Sequence, residues 1–277
     1  VVRFMDDFVL YSADQDKLTE DFYLIQKLLG QKGLTVNPSK TVVGGVVAAQ
    51  VEDDIDEVKA NLLTKRRKAA HLAYLDDFEA ALEEIQMTNE ELEYLRELLK
   101  SQHLEEEDAE LVLSLFRDHP EEVQPHLVHF ATTFPHLAKN IWSFCKHIED
   151  KDFIGKMMAS AAEHNGLQEY QLFWFAWILQ DYAIDTQYAP KIISKLYNHS
   201  NASIISKAKI LEISDNRFGL VEMRDEHLVA GRSDWLSWAS AVGHRKLLAV
   251  SRNHKLEYFA NSSPMNHLIK AIVTKPI

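Results

Sequence analysis

From Leu172 to Leu179 the chain reads Leu-Phe-Trp-Phe-Ala-Trp-Ile-Leu, with no polar side chain. The run is far short of the roughly 20 residues that span a bilayer. A helix apolar on every side is held by neighbours on both sides, so this stretch demands helices in more than one layer. The surrounding sequence supplies them. From about Asp54 onward strand signals disappear and apolar residues recur at helical spacing in short segments. Thr88-Asn89-Glu90-Glu91 is a capping box leading into Leu92, Leu95, Leu98 and Leu99. Ala109 to Phe116 forms a further helix, ended near Pro120. Val123, Leu127, Phe130, Ala131 and Phe134 follow at helical spacing, ended by Pro135. Further segments begin near Leu137, Asp152, Gln168, Ala189, Ala202, Ser233, Arg245 and Ser263.

Stacked antiparallel helix pairs of this length resemble HEAT-type repeats, where each pair packs on the next. No crisp consensus recurs, so an irregular helical bundle stays open beside that reading. With 277 residues, 46% hydrophobic and 10% aromatic, the chain has material for one or two folded domains. It contains no uncharged apolar window of the length a spanning helix needs and no visible signal peptide, so no membrane partner is expected. A single cysteine, Cys145, excludes an internal disulfide and suits a reducing cytoplasm. Within Trp142-Ser143-Phe144-Cys145 it reads as a buried packing thiol.

The first fifty residues are built differently. Phe4-Met5-Asp6-Asp7-Phe8-Val9-Leu10 sets an aspartate pair inside an apolar, strand-like run. Two short strands with the acidic pair at the turn between them fit the pattern. Ionised carboxylates beside apolar residues are costly unless paired, and a divalent cation is a common remedy. Mg²⁺ takes one or two carboxylates together with substrate phosphates, as paired-metal phosphoryl-transfer sites do. An ordinary acidic turn is the plainer alternative, and the chain has another Asp-Asp at Asp76-Asp77. After the pair, Leu18, Phe22, Ile25, Leu28 and Leu29 predict a helix over Asp16 to Lys32, with Gly33 as its C-terminal cap. Then come Gly33-Leu34-Thr35-Val36-Asn37-Pro38-Ser39-Lys40-Thr41 and a second apolar run from Val42 to Val47.

In this order and at this separation the two stretches resemble motifs C and D of the reverse-transcriptase palm. The resemblance covers residues 1 to about 50, under a fifth of the chain. It implies Mg²⁺ as cofactor, Asp6 as the principal ligand from this segment, and Asp7 as a weaker ligand or a support behind it. Met5 would lie against the primer end and Phe4 on the strand behind it, where many relatives have tyrosine. Lys40 would meet the triphosphate or the departing pyrophosphate, against the plainer reading of a solvated turn lysine. The palm of this family also carries an upstream aspartate, motif A, and fingers that bind the nucleotide. Only Val1 to Arg3 precede Phe4, so the expectation is a C-terminal portion of a longer protein, inactive alone.

Some bacterial reverse transcriptases of the abortive-infection, phage-defence type follow the palm with a large helical-repeat region. Retron and group II intron relatives carry a compact basic thumb, which this acidic helical train does not resemble. The resemblance therefore implies an α+β, mainly α protein: palm over 1–51, a connecting thumb-like segment over 52–84 and an α-helical repeat domain over 85–277. Its activity would be RNA-directed DNA synthesis by nucleotidyl transfer in the cytoplasm, in anti-phage defence. RNA template, DNA product and deoxynucleoside triphosphates would be its partners, with a homo-oligomer as a further expectation. The competing reading is a helical-repeat interaction scaffold attached to a non-catalytic palm.

Charge constrains where nucleic acid could run. The net charge of −12 is unevenly spread. Residues 52–122 hold 22 acidic and 8 basic side chains, whereas the remainder holds 20 and 22. From Arg217 onward basic residues lead 9 to 5. Phosphates need cationic surface, so a path over the acidic segment is excluded and one past the C-terminal end is not. Trp235 and Trp238, then Gly243-His244-Arg245-Lys246 and Arg252, join aromatics to cations in a way that suits single strands and equally suits docking onto the palm. Arg245, Lys246 and Arg252 are the candidate contacts. Lys65-Arg66-Arg67-Lys68 reads first as a solvated helix face paired with acids one turn away, and second as a phosphate contact. His119, His126, His129 and His136 cluster in sequence without metal-ligand spacing.

Overall fold

The computed structural model describes residues 2–4, 7–32, 36, 57–73, 86–101 and 104–275. The chain divides into two compact units, Val1–Asp56 and Glu57–Ile277. Among the described residues it is helical apart from one two-stranded ribbon.

In the first unit, strands β1 (Val2–Phe4) and β2 (Asp7–Val9) pair antiparallel. Val2 lies opposite Val9, Arg3 opposite Phe8 and Phe4 opposite Asp7. Helix α1 (Gln15–Gly30) follows. Asp14 caps it, its carboxylate accepting from the backbone N–H of Asp16 at 3.0 Å and of Lys17 at 3.3 Å. Leu18, Phe22, Ile25 and Leu29 are half-buried, while Leu28 is exposed. The helix closes through Gln31 in ordinary right-handed backbone, ahead of Gly33. Gly33, Lys40 and the run Val42 to Val47 lie outside the described residues.

The second unit opens with α2 (Glu57–Ala73), inside the stretch expected to be a connecting segment. It packs on α3 (Asn89–Lys100) and α4 (Glu106–Leu115). Its Leu62 is fully buried in the main core. The basic run sits on this helix, but Lys65 and Arg66 find their partners on neighbouring helices and not one turn away. Lys65 pairs with Glu91 at 2.6 Å and Arg66 with Glu110 at 2.5 Å, while Lys59 reaches Asp108 at 2.5 Å. Thr88 and Glu91 form the expected capping box, so Glu91 both caps α3 and ties down α2.

Where one helix was expected across Val123 to Phe134, Pro125 divides it. A short α5 (Pro120–Val123) passes through a 3₁₀ turn at Gln124–His126 into α6 (Leu127–Thr133). Proline has no N–H for the helical ladder, which accounts for the break. Next come α7 (Ala138–Phe144), α8 (Lys151–Ala161), α9 (Glu169–Ile178), α10 (Ala189–Tyr197) and α11 (Ile204–Glu212). The unit ends with α12 (Leu220–Val229), α13 (Trp235–Gly243), α14 (Ala249–Ala260) and α15 (Pro264–Val273). The helices pack in two alternating rows. α4, α7, α9, α11, α13 and α15 make one row; α6, α8 and α10 make another, and α12 touches α14. The core runs between the rows, continuous from Leu62 to Leu220, with a smaller cluster of Leu228, Ala241, Leu256, Phe259 and Val273 beyond. Cys145 is wholly buried, and burial pushes its thiol up to about 12.

The apolar run falls on α9. Leu172, Phe175, Ala176, Ile178 and Leu179 are buried, but Phe173, Trp174 and Trp177 are only half-buried. The expected enclosure on all sides is therefore incomplete, and the aromatics cover one another at the open edge. Trp142 of α7 lies 5.3 Å from Trp174 and 6.2 Å from Trp177 between ring centres, and its indole N–H donates to Asp181 at 2.8 Å. Glu169, at the head of α9, caps the next helix of the row. Its carboxylate accepts from the backbone N–H groups of Ser203 (2.8 Å) and Ser206 (3.0 Å) and from both hydroxyls. Burial acts to raise this carboxyl's pKa, yet those hydrogen bonds prevail and hold it low.

Leu62→Ala should lower the unfolding free energy by about 2–4 kcal/mol, the usual range for a buried leucine. Chemical denaturation of parent and variant checks this, and a loss under about 1 kcal/mol would mean that α2 is not part of the core.

Candidate functional site

Two sets of sequence-predicted site residues occupy different units. In the first unit, Phe4 and Asp7 form the last register pair of the β1–β2 ribbon. Met5, Asp6 and Lys40 lie outside the described residues.

The C-terminal set centres on the junction after α13. The helix ends at Gly243, a 3₁₀ turn covers His244–Lys246, and α14 begins at Ala249. A β-carbon at Gly243 would run into the Leu211 carbonyl and the Arg224 guanidinium, so only glycine fits. Arg224 is itself fully buried. Its Nε donates to the Leu211 carbonyl at 2.8 Å, and its Nη2 donates to the carbonyls of Ile213 and, at 2.8 Å, Asp215. These are carbonyls at and just past the end of α11, which the helix cannot satisfy internally. Burial lowers the guanidinium pKa to about 10, with Asp215 and Asp225 opposing. Arg224 therefore remains charged at neutral pH.

His244 stands next to it, also fully buried. Burial, then Arg224, depress its pKa to about 4 against the pull of Asp225. The neutral ring lies with Nε2 3.2 Å from the Asp225 carboxylate. An ionised carboxylate only accepts, so Nε2 carries the proton and Nδ1 is left buried without a partner. The second Asp225 oxygen takes the Lys255 ammonium. The arrangement holds charge in place, and the pockets beside Arg66 and beside Tyr170 lie away from it.

The predicted contacts separate by role. Arg252 turns inward, its Nη1 donating to the Arg245 carbonyl at 3.0 Å and its Nη2 approaching the Thr274 carbonyl at 3.5 Å. Arg245 is half-buried, and Lys246 is exposed. Trp238 is spent on structure, donating its indole N–H to Asn266 at 2.9 Å, whereas Trp235 is 56% exposed. Arg224 and Asp225 were not anticipated. One signal existed: Leu220, Arg224 and Leu228 fall at i, i+4 and i+8, which places the arginine on the buried stripe of α12.

The histidine cluster carries no free ligand set. His119, Glu121 and Glu122 approach one another, but Glu122 is gripped by Arg96 through Nε (2.9 Å) and Nη2 (3.0 Å). His129 instead bonds Thr133 at 3.1 Å.

His244 gives the junction a pH signature. Its folded pKa near 4 lies below the ordinary histidine value of about 6.5. The unfolded chain then binds the extra proton as pH falls through this window, so stability drops between about pH 6.5 and 4. The full effect is about 3 kcal/mol. Denaturant titrations at pH 7 and 4.5 should show a larger acid loss for the parent than for His244→Gln, and equal losses would remove histidine from the account.

No family model matches this chain, and comparison with curated proteins and with solved structures returned no match.

Proposed function

We propose that the chain is part of a bacterial RNA-directed DNA polymerase of the phage-defence type, its first unit contributing motifs C and D of the palm and its second a HEAT-like repeat region. One observation carries most weight. The antiparallel pairing of Phe4 with Asp7, followed by helix α1, supports the reading of an acidic pair between two short strands with a helix after it. The alternating packing of helices in two rows supports the repeat reading of the second unit.

The donor set suits Mg²⁺: two adjacent carboxylates, Asp6 and Asp7, of the hard oxygen type this ion prefers. They would hold it, and when bound the ion supplies positive charge to a triphosphate and acidity to an attacking hydroxyl. The remaining duties belong to the chain. Asp6 and Asp7 would keep their charge by pairing with the ion, and Met5 would pack against the primer end. Lys40 would bring an ammonium to the phosphates. RNA template, DNA product and deoxynucleoside triphosphates are the partners this reading requires.

Nucleic acid would leave past the C-terminal junction and avoid the acidic segment. Lys246 is then the leading contact, with Arg245 beside it, because Arg252 already serves backbone carbonyls.

The polymerase reading is tested with the protein together with any coding sequence upstream of Val1. Asp6→Asn should abolish Mg²⁺-dependent nucleotide incorporation while leaving the melting temperature within a few degrees of the parent. Incorporation at the parent rate would overturn the metal-ligand assignment and favour the interaction scaffold.

Salt titrations of single-strand binding separate the cations. Lys246→Ala should flatten the salt dependence by roughly one unit of slope with stability unchanged. Arg252→Ala should lower stability and change the slope little. The reverse pattern would place the strand on Arg252.

A further inference from the structure

The two most exposed large apolar side chains among the described residues stand on one turn. Leu248 and Val250, where α13 leads into α14, are 83% and 86% exposed. The turn is held in shape. The Leu247 N–H donates to the His244 carbonyl at 2.9 Å, and Arg252 donates to the Arg245 carbonyl. Two aliphatic groups are therefore fixed in water, where each keeps a hydration cost that burial would remove.

The charge around them has one sign. From Trp235 to Leu256 the chain has four Lys or Arg and no Asp or Glu, although the protein as a whole carries −12. Lys255 is neutralised by Asp225 of α12. Arg245, Lys246 and Arg252 have no carboxylate partner among the described residues, and Lys246 is exposed.

Aliphatic groups projecting beside unpaired cations match one kind of surface. An anionic bilayer offers acyl chains to the first and charged headgroups to the second. A nucleic-acid strand would satisfy the cations alone, because bases stack on aromatic rings and not on leucine or valine. No described helix is long and apolar enough to cross a membrane, so the contact is peripheral.

We infer that the α13–α14 turn is a peripheral contact for an anionic lipid surface. Leu248 and Val250 enter the headgroup boundary, and Lys246 and Arg245 meet the lipid charges. The inference does not rest on the polymerase reading, and a strand held by Lys246 would compete with lipid for the same turn. Two short side chains bury less than one myristoyl chain, which itself binds reversibly with a constant of roughly 10⁴ M⁻¹. Half-binding is therefore expected near about 1 mM accessible lipid.

Co-sedimentation of the whole chain with vesicles tests it, using phosphatidylcholine alone and phosphatidylcholine with about one third phosphatidylglycerol. The parent should bind the anionic vesicles and leave the neutral ones. The double variant Leu248→Ser, Val250→Ser should bind at least about tenfold more weakly. Lys246→Ala should bind about fivefold more weakly, the worth of one lysine at such a surface. Leu248 is the N-cap of α14, a position that serine suits, so the melt of the double variant should match the parent. Because Cys145 is sealed in the core, an environment-sensitive dye on Leu248→Cys reports alone. Its emission should shift to the blue with anionic vesicles, whereas a dye on Glu149→Cys, exposed on another element, should not respond. A parent that binds single strands but no vesicles would overturn the inference and leave the turn to nucleic acid. So would vesicle binding that survives the serine pair, or a dye on Leu248→Cys that stays in water while the protein is bound.

Discussion

The second half of the helical unit depends on one buried positive charge. Arg224 is placed where a leucine would otherwise sit, and burying a guanidinium without partners would be prohibitive. It is tolerated because α11 ends beside it with carbonyls that have no helical donor, and the guanidinium supplies three hydrogen bonds to them. The arrangement fixes other residues in turn. Gly243 must lack a side chain so that α13 can approach. Asp225 must divide its carboxylate between His244 and Lys255, joining α12 to α14. Four consecutive helices, α11 to α14, are thus held by a polar network, where the first half of the unit relies on a continuous apolar core. Breaking the network from one side would leave a buried charge unpaired, which is generally far worse than never having it.

The two halves also differ in how they treat their ends. The acidic segment is pinned from within by the cations of α2, which meet Asp108, Glu91 and Glu110. Lys65 and Arg66 of the basic run are therefore internal wiring, whereas Arg67 is exposed. At the other end Arg252 is similarly occupied. Counting charges along the sequence overstated the cationic surface on offer, since an arginine that serves carbonyls and one that faces solvent look the same in a sequence.

Much of the helical architecture could be read from spacing alone. The capping box at Thr88, the burial of Cys145 and most helix starts followed from local patterns that the structure keeps. The misses have physical causes. Pro125 sits inside an otherwise regular apolar periodicity, and the periodicity hid the break. α12 escaped because its buried stripe contains Arg224, so its sequence looks polar. α9 looked sealed on all sides, yet Phe173, Trp174 and Trp177 stay half-buried, and Trp142, Trp174 and Trp177 shield one another there. The two short strands expected on either side of the acidic pair are present, with Phe4 opposite Asp7. Arg224, Asp225 and His244 form a site only in three dimensions, from residues that nothing in the local pattern connects.

Cys145 has a practical consequence. Its thiol is sealed in the core with a pKa pushed up to about 12, so almost none of it is thiolate at neutral pH, and thiolate is the form that reacts. For alkylating reagents and spectroscopic labels the folded chain behaves as though it had no cysteine. A thiol introduced anywhere on its surface would take up a probe alone, and the native Cys145 would become reactive only when the surrounding helices part. Its rate of modification is therefore a built-in clock for opening of the core.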